Sequence, residues 1–321
     1  MNRAALIGAA ATLDALLGDP PALPHPVRAM GTLIGGLERA ARTWTKSTPA
    51  RERIAGIGTV IAVVGATFLS VRFLLAISGE PGTPRRRAFE ILGAASTLAW
   101  RNLIDESFSV LTALEAHDLP RARILLARIV GRDTEHLTPS EVARATIETL
   151  SESACDGIVA PLFYLTLGGI PLAFAYKAVN TLDSMIGHPE VPYRDFGRFA
   201  AKLDDSANFL PARASAAVIS GAAQLLYGSG KRAMHTALRD GASHRSPNAG
   251  WPEAAIAGAL GVRLGGINRY AGIAQEAPFL GAEFGAPDAC DVRRAIEIIT
   301  LATVLATAAS MLISAIRDAA A

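Results

Sequence analysis

The chain has 321 residues, half of them hydrophobic and 19% charged, with a formal net charge of +2 and a mean hydropathy of +0.30. A soluble protein carries about a quarter charged residues, so this composition points to lipid. The charge is too small and too scattered for a nucleic-acid surface, and two distant cysteines, Cys155 and Cys290, offer neither a disulfide framework nor a CxxC zinc site.

Taken in chain order, the start is an uncharged run, "AALIGAAATL", between Arg3 and Asp14. Residues 4–17 read as a signal peptide, a short span or an interfacial helix; retention is preferred, because no small-x-small cleavage site precedes "LLGDPP". The next cluster, "GDPPALPHPVRAMG", sets Asp19, His25 and Arg28 on a loop stiffened by prolines from Pro20 to Pro26. His25 reads as a general base, a ligand or a structural hydrogen-bonding histidine. Uncharged runs then predict spans near 54–77, 157–176, 207–230 and 296–316, each close to the roughly 17–25 residues a membrane helix needs. Between the first two lies a turn with a basic patch, "PGTPRRR", and over 88–114 a helix that Glu90, Arg101, Asp105 and Glu106 make amphipathic.

"LTPSE" is a helix start: Thr138 as N-cap, Pro139 in the first helical position and Glu141 closing a capping box. In the helix that follows, Arg144, Glu148, Glu152 and Asp156 advance about 40° per step of four and line one stripe. Like charges at this spacing repel, so the stripe reads either as a solvated face with Arg144 pairing Glu148 or as a site neutralised by arginine or by Mg²⁺ with phosphate. Gly157 is the expected stop of this helix, and Pro161, Gly168, Gly169 and Pro171 predict an interruption in the span after it. "NTLD" from Asn180 to Asp183 is either a second metal- or hydroxyl-binding set or a capping box. Ser246, Asn248 and Gly250 form a turn ahead of an Ala-rich helix opened by Pro252 and Glu253, and such a helix start is suited to an anion. "LGG" at 264–266 matches neither a P-loop nor a dinucleotide fingerprint, though it suits a close backbone approach. The fold expected is all-α: one integral membrane domain over 1–321, a polytopic helix bundle with amphipathic helices and polar loops carrying the site.

Several long stretches together resemble one family: "DALLGDPPALPHPVRAMGTLI", "GRDTEHL", "AIETLSESACDGIVAPLFYLTLGG", "AYKAVNTLDSMIGH", "YRDFGRFAAKLDDSANFLPAR" and "SPNAGWPEAAIAGALGVRLGG". They are similar to the adenosylcobinamide-phosphate synthase family of cobalamin biosynthesis, of the CbiB/CobD type, over nearly the whole chain. One departure is Ser151-Glu152-Ser153, where the family tends to carry Ala-Glu-Asn. The resemblance implies a membrane enzyme that joins (R)-1-aminopropan-2-ol O-phosphate, or aminopropanol, to a propionate carboxyl of adenosylcobyric acid, with ATP as energy source. A carboxylate reacts with an amine only after its oxygen becomes a leaving group, so an acyl phosphate, Mg²⁺ and cationic clamps are expected. The residues assigned are Glu148, Glu152, Asp156 and Asp183 for Mg²⁺, Arg132, Arg28 and Arg245 for phosphate or propionate, Asp133 or His25 as general base, and Ser246, Asn248 and Gly250 for phosphate or corrin contacts. Glu152 is placed with the catalytic set.

If all the spans cross, the 18–53 and 177–206 clusters share one side and the 78–156 and 228–295 clusters the other, so a re-entrant 157–176 segment or a site inside the bundle is preferred. ATP and corrinoid place the protein in the inner membrane with its site facing the cytoplasm, where association with later enzymes of nucleotide-loop assembly is expected. The rival readings are a corrinoid-binding or transport component, since acidic residues in spans and broken helices also suit carriers, and a membrane scaffold for neighbouring enzymes.

Overall fold

The computed structural model describes residues 2–19, 25–45 and 48–320. The proline loop between residues 20 and 24 lies outside them. Among the described residues the chain is helical apart from one β-hairpin: α1 (Arg3–Leu17), α2 (Pro26–Thr45), α3 (Pro49–Ile77), α4 (Pro84–Ala95), α5 (Trp100–Glu115), α6 (Leu119–Leu126), α7 (Pro139–Ala154), a π-helical turn (Cys155–Val159), α8 (Ala160–Ile186), α9 (Arg198–Tyr227), α10 (Gly230–Asp240), α11 (Gly250–Leu260), β1 (Leu264–Tyr270), β2 (Ile273–Leu280) and α12 (Ala289–Ala320). The protein is an all-α membrane helix bundle. Four helical runs are long and apolar enough to span: Pro49–Ile77, Pro139–Ile186, Arg198–Tyr227 and Ala289–Ala320. In the first, only 22% of the apolar window is buried, and Ile54, Ile57, Ile61, Leu69 and Phe73 point outward, a face that lipid solvates and water does not. At 15 residues, α1 is about 22 Å long and falls short of a ~30 Å hydrocarbon core.

Two compact units share the chain. The first comprises Met1–Ala99, Ala160–Asn208 and Thr307–Ala321; the second comprises Trp100–Val159 and Phe209–Ala306. The first thus holds the polar clusters at 18–53 and 177–206, and the second holds most of the clusters at 78–156 and 228–295.

Several local expectations are corrected. Gly157 does not stop a helix: it keeps helical backbone inside the π turn, so the run continues into α8 and Asp156 sits on a turn with altered register. The helix expected over 88–114 is two, broken at Ser96 to Ala99, where the Ser96 and Thr97 hydroxyls donate to the Gly93 and Ala94 carbonyls at 2.9 and 2.7 Å and compete with the helix ladder. The span expected at 207–230 ends at Tyr227, and Asn180 to Asp183 form no cap because they lie inside α8. There Asn180 donates to Asp204, which also accepts from Asn208 at 2.9 Å, while the Tyr176 hydroxyl donates to Asn208 at 2.9 Å.

The expected interruption of the second span is present. Gly169 leaves helical backbone at φ 69°, ψ −163°, a conformation open to glycine, and Pro171 has no N–H for the Leu167 carbonyl. The carbonyls so released are satisfied by side chains: Arg3 and Arg317 each donate to Thr166 O at 2.9 Å, with Leu167 O at 3.3 and 3.4 Å.

Candidate functional site

The second unit builds a polar cavity of about 200 Å³ on α7, α11 and the hairpin. Its lining includes Arg132, Glu148, Glu152, His244, Arg245 and Glu253. The capping box at Thr138 and Glu141 forms as the sequence predicts and fixes the start of α7. From there Val142, Ala143, Ala145, Ile147 and Leu150 are fully buried, which locks the helix rotation and carries Arg144 and Glu148 inward with them. Helix α11 is apolar all round and buried, so its single carboxylate, Glu253, is buried too.

Glu148 is the hub. One oxygen accepts from Arg132 at 2.6 Å; the other accepts from Arg144 at 3.0 Å and from the Gly265 amide at 2.8 Å. The Asn268 side-chain oxygen, Oδ1, bridges the same two guanidiniums at 2.9 and 3.0 Å, and Arg144 also donates to Ile267 O at 3.3 Å. Two cations are thus held on one carboxylate, and of the two Arg132 lines the cavity. Burial works against the charge of Arg132, yet the Glu148 carboxylate offsets this and raises its pKa, keeping it cationic. Gly265 makes the approach possible: its φ is 85°, and a Cβ there would lie 2.1 Å from the Pro278 carbonyl oxygen.

Glu253 differs. Burial first, and then the nearby carboxylates of Glu148 and Glu152, push its pKa well above the usual carboxylate range, with Arg132 and Arg144 only partly opposing them. Burial also lowers the pKa of His244, whose Nδ1 accepts from the Ser246 amide at 3.1 Å. Arg245 donates to Gln275 Oε1 at 2.9 Å and to Glu276 O at 2.7 Å, which ties it to β2 at the cavity wall.

The structure brings Arg132, Glu148, Glu152 and Arg245 together in this cavity. It commits Asp133 elsewhere: its carboxylate accepts from the Ala271 and Gly272 amides at 3.1 and 2.7 Å and closes the hairpin turn, which argues against a free base. The anion seat expected at Ser246, Asn248 and Gly250 is largely filled from within, because the Ser246 hydroxyl accepts from the Asn248 and Ala249 amides at 3.3 and 3.2 Å. His25, Arg28 and Asp183 belong to the first unit. There His25 lines a larger cavity of about 570 Å³, mostly apolar and with no Lys or Arg in its described lining, which suits it poorly to anionic reactants. The Nδ1 of His25 accepts from the Val27 amide at 3.3 Å and its Nε2 lies 3.1 Å from Asp19, a pairing that favours the structural reading. The four carboxylates expected to share Mg²⁺ are split between the units, Glu148 is engaged by arginines, and no group of three or more His, Cys, Asp or Glu among the described residues is arranged for a metal.

The pairing of Arg144 with Glu148 that the sequence offered for a solvated face is present but buried, and Glu253 appeared in the sequence only as a helix opener. The available signal for Glu253 was a lone acid in an otherwise uncharged "GWPEAAIAGALG". Asn268, Tyr270 and His244 carried none.

Comparison with known proteins agrees with this chain's motifs. A family model described as CobD/Cbib protein matches residues 7–299. The chain is 45% identical over 296 residues to the cobalamin biosynthesis protein CobD of Klebsiella pneumoniae subsp. pneumoniae and 43% identical over 296 residues to the cobalamin biosynthesis protein CbiB of Salmonella typhimurium, each alignment covering 92% of both chains. It is 43% identical over 294 residues to the CobD protein of Yersinia enterocolitica, again over 92% of both. No solved structure matches it significantly. The chain therefore belongs to the CobD/CbiB family of cobalamin biosynthesis proteins.

Proposed function

We propose that this protein is an amide-forming ligase that joins (R)-1-aminopropan-2-ol O-phosphate, or free aminopropanol, to a propionate carboxyl of adenosylcobyric acid at the expense of ATP. The observation that carries this reading is the pairing, in one small cavity, of fixed cations with carboxylates of two kinds. Arg132, pre-set by Glu148 and Asn268, and Arg245 offer guanidinium donors to a carboxylate or phosphate. Glu152, exposed at the same cavity, presents carboxylate oxygens to an ammonium, and the buried Glu253, whose carboxyl keeps its proton to higher pH, stands beside it. A substrate carrying an amine and a phosphate a few bonds apart matches that division of charge.

In the reaction, phosphoryl transfer to the propionate gives an acyl phosphate, the amine attacks its carbonyl carbon, and phosphate leaves. The guanidiniums stabilise negative charge on the oxygens; a carboxylate of the cavity takes the proton that frees the amine lone pair. The described residues do not assemble a metal site of their own, so no step is assigned to magnesium, which would enter with the nucleotide. Supply of ATP and corrinoid places the cavity on the cytoplasmic side of the inner membrane.

The test is direct. Membranes containing the protein, given adenosylcobyric acid, ATP, Mg²⁺ and aminopropanol phosphate, should yield a corrinoid whose mass has risen by the amine less one water, with one ADP per amide. Corrinoid uptake into sealed vesicles without any such product would replace this reading with transport.

A further inference from the structure

The cavity is too small for the substrate that the proposed function requires. Its volume of about 200 Å³ equals that of roughly seven water molecules and lies below the ~300 Å³ at which drug-sized ligands are enclosed. A carboxyl-bearing arm enters such a space; a flat macrocycle stays outside and needs a surface beside the mouth.

The hairpin supplies one. Tyr270 lines the cavity yet is 37% exposed, and Ile273, its direct partner across the strand ends, is 68% exposed. Cross-strand partners project to the same face with Cβ atoms about 5 Å apart, so the two make a continuous apolar step at the cavity edge. The turn itself is Ala271-Gly272, so the pair closes the two strands and stands at the end of the hairpin nearest that turn. The step is also held still: Asp133 fixes the amides of Ala271 and Gly272, and Arg245 grips the Glu276 carbonyl. A fixed surface costs a ligand little ordering on binding.

We propose that Tyr270 and Ile273 form the shelf on which the corrin macrocycle of the carboxyl substrate rests while one propionate arm reaches Arg132. This rests on the ligase reading and adds to it where the ring is recognised. Tyr270 offers a rigid aromatic plane for stacking, Ile273 extends the apolar contact, and the polar edge made by Arg245, Gln275 and Glu276 faces the amide groups at the ring's periphery.

The measurement is equilibrium binding of adenosylcobyric acid, read from corrin absorbance after ultrafiltration, to the full chain in lipid nanodiscs. The double variant Tyr270→Ala/Ile273→Ala should bind about tenfold or more weakly, and Tyr270→Phe, which keeps the plane, within about twofold of wild type. Ile273→Ser alone, at a strand end that is 68% exposed, should weaken binding about threefold and guards against a folding artefact in the double variant. Undiminished affinity in the double variant and in Ile273→Ser overturns the shelf. Absence of corrinoid binding by the wild type would instead overturn the ligase reading, and the shelf with it.

Discussion

Glu148 and Glu253 face the same cavity and are held in opposite ways. Glu148 is bound by two guanidiniums and an amide, and removing its charge leaves Arg132 and Arg144 crowded together in the interior. Glu148→Gln should therefore cost about 3–5 kcal/mol of stability, measured as a shift in denaturant or thermal midpoint; a loss under about 1 kcal/mol would show that the network is weakly held. Glu253 makes no ion pair among the described residues and is buried with a raised pKa, so the folded state holds its proton more tightly than the unfolded chain does. Its contribution to stability is complete below the ordinary value of 4.5 and is lost as pH rises towards the folded value. Relative to Glu253→Gln, the wild type should lose about 1.4 kcal/mol per pH unit across that window; parallel stability curves for the two would refute the assignment. The Arg144–Glu148 pair was legible because both ends lie one helical turn apart, whereas Arg132 reaches Glu148 from 16 residues away and Asn268 reaches Arg144 from 124 residues away by folding alone.

At the scale of elements, the hairpin decides whether a cavity exists. It carries Gly265 to Glu148 and Asn268 to both arginines, and its turn is closed by Asp133 from a distant segment. Gly265→Ala puts a Cβ into the Pro278 carbonyl at a left-handed backbone position, so a loss of about 2 kcal/mol or more is expected together with loss of activity. Thr138→Ala, which removes only the α7 cap, should cost about 1 kcal/mol and leave the cavity chemistry intact. Equal damage from both would mean that the hairpin has no special part. The cap could be read from five residues because capping is local. The hairpin could not, since "GGINRYAGIAQ" lacks clean alternation and its turn, with Ala271 at φ 48°, depends on Asp133.

At the scale of the whole molecule, the bilayer made the spans legible: long uncharged runs have few other uses, and each of the predicted ones falls largely within an observed apolar helix. The division of the chain into two units was not legible, because it depends on which helix faces pair. His25, Arg28 and Asp183 belong to the other unit, and the proposed reaction centre rests on Arg132 and Glu148 in the cavity of the second. Family membership and the membrane fold stand on the matched motifs; the chemistry rests on that cavity. The most direct test follows product formation by mass in purified full-length protein supplied with adenosylcobyric acid, ATP, Mg²⁺ and aminopropanol phosphate, comparing wild type with Arg132→Lys, which keeps the charge and loses the planar fork. Amide product from the wild type and a rate about a hundredfold lower in the folded variant are expected. Equal rates in the two would place the reaction elsewhere in the molecule, and no product from the wild type would contradict ligation itself.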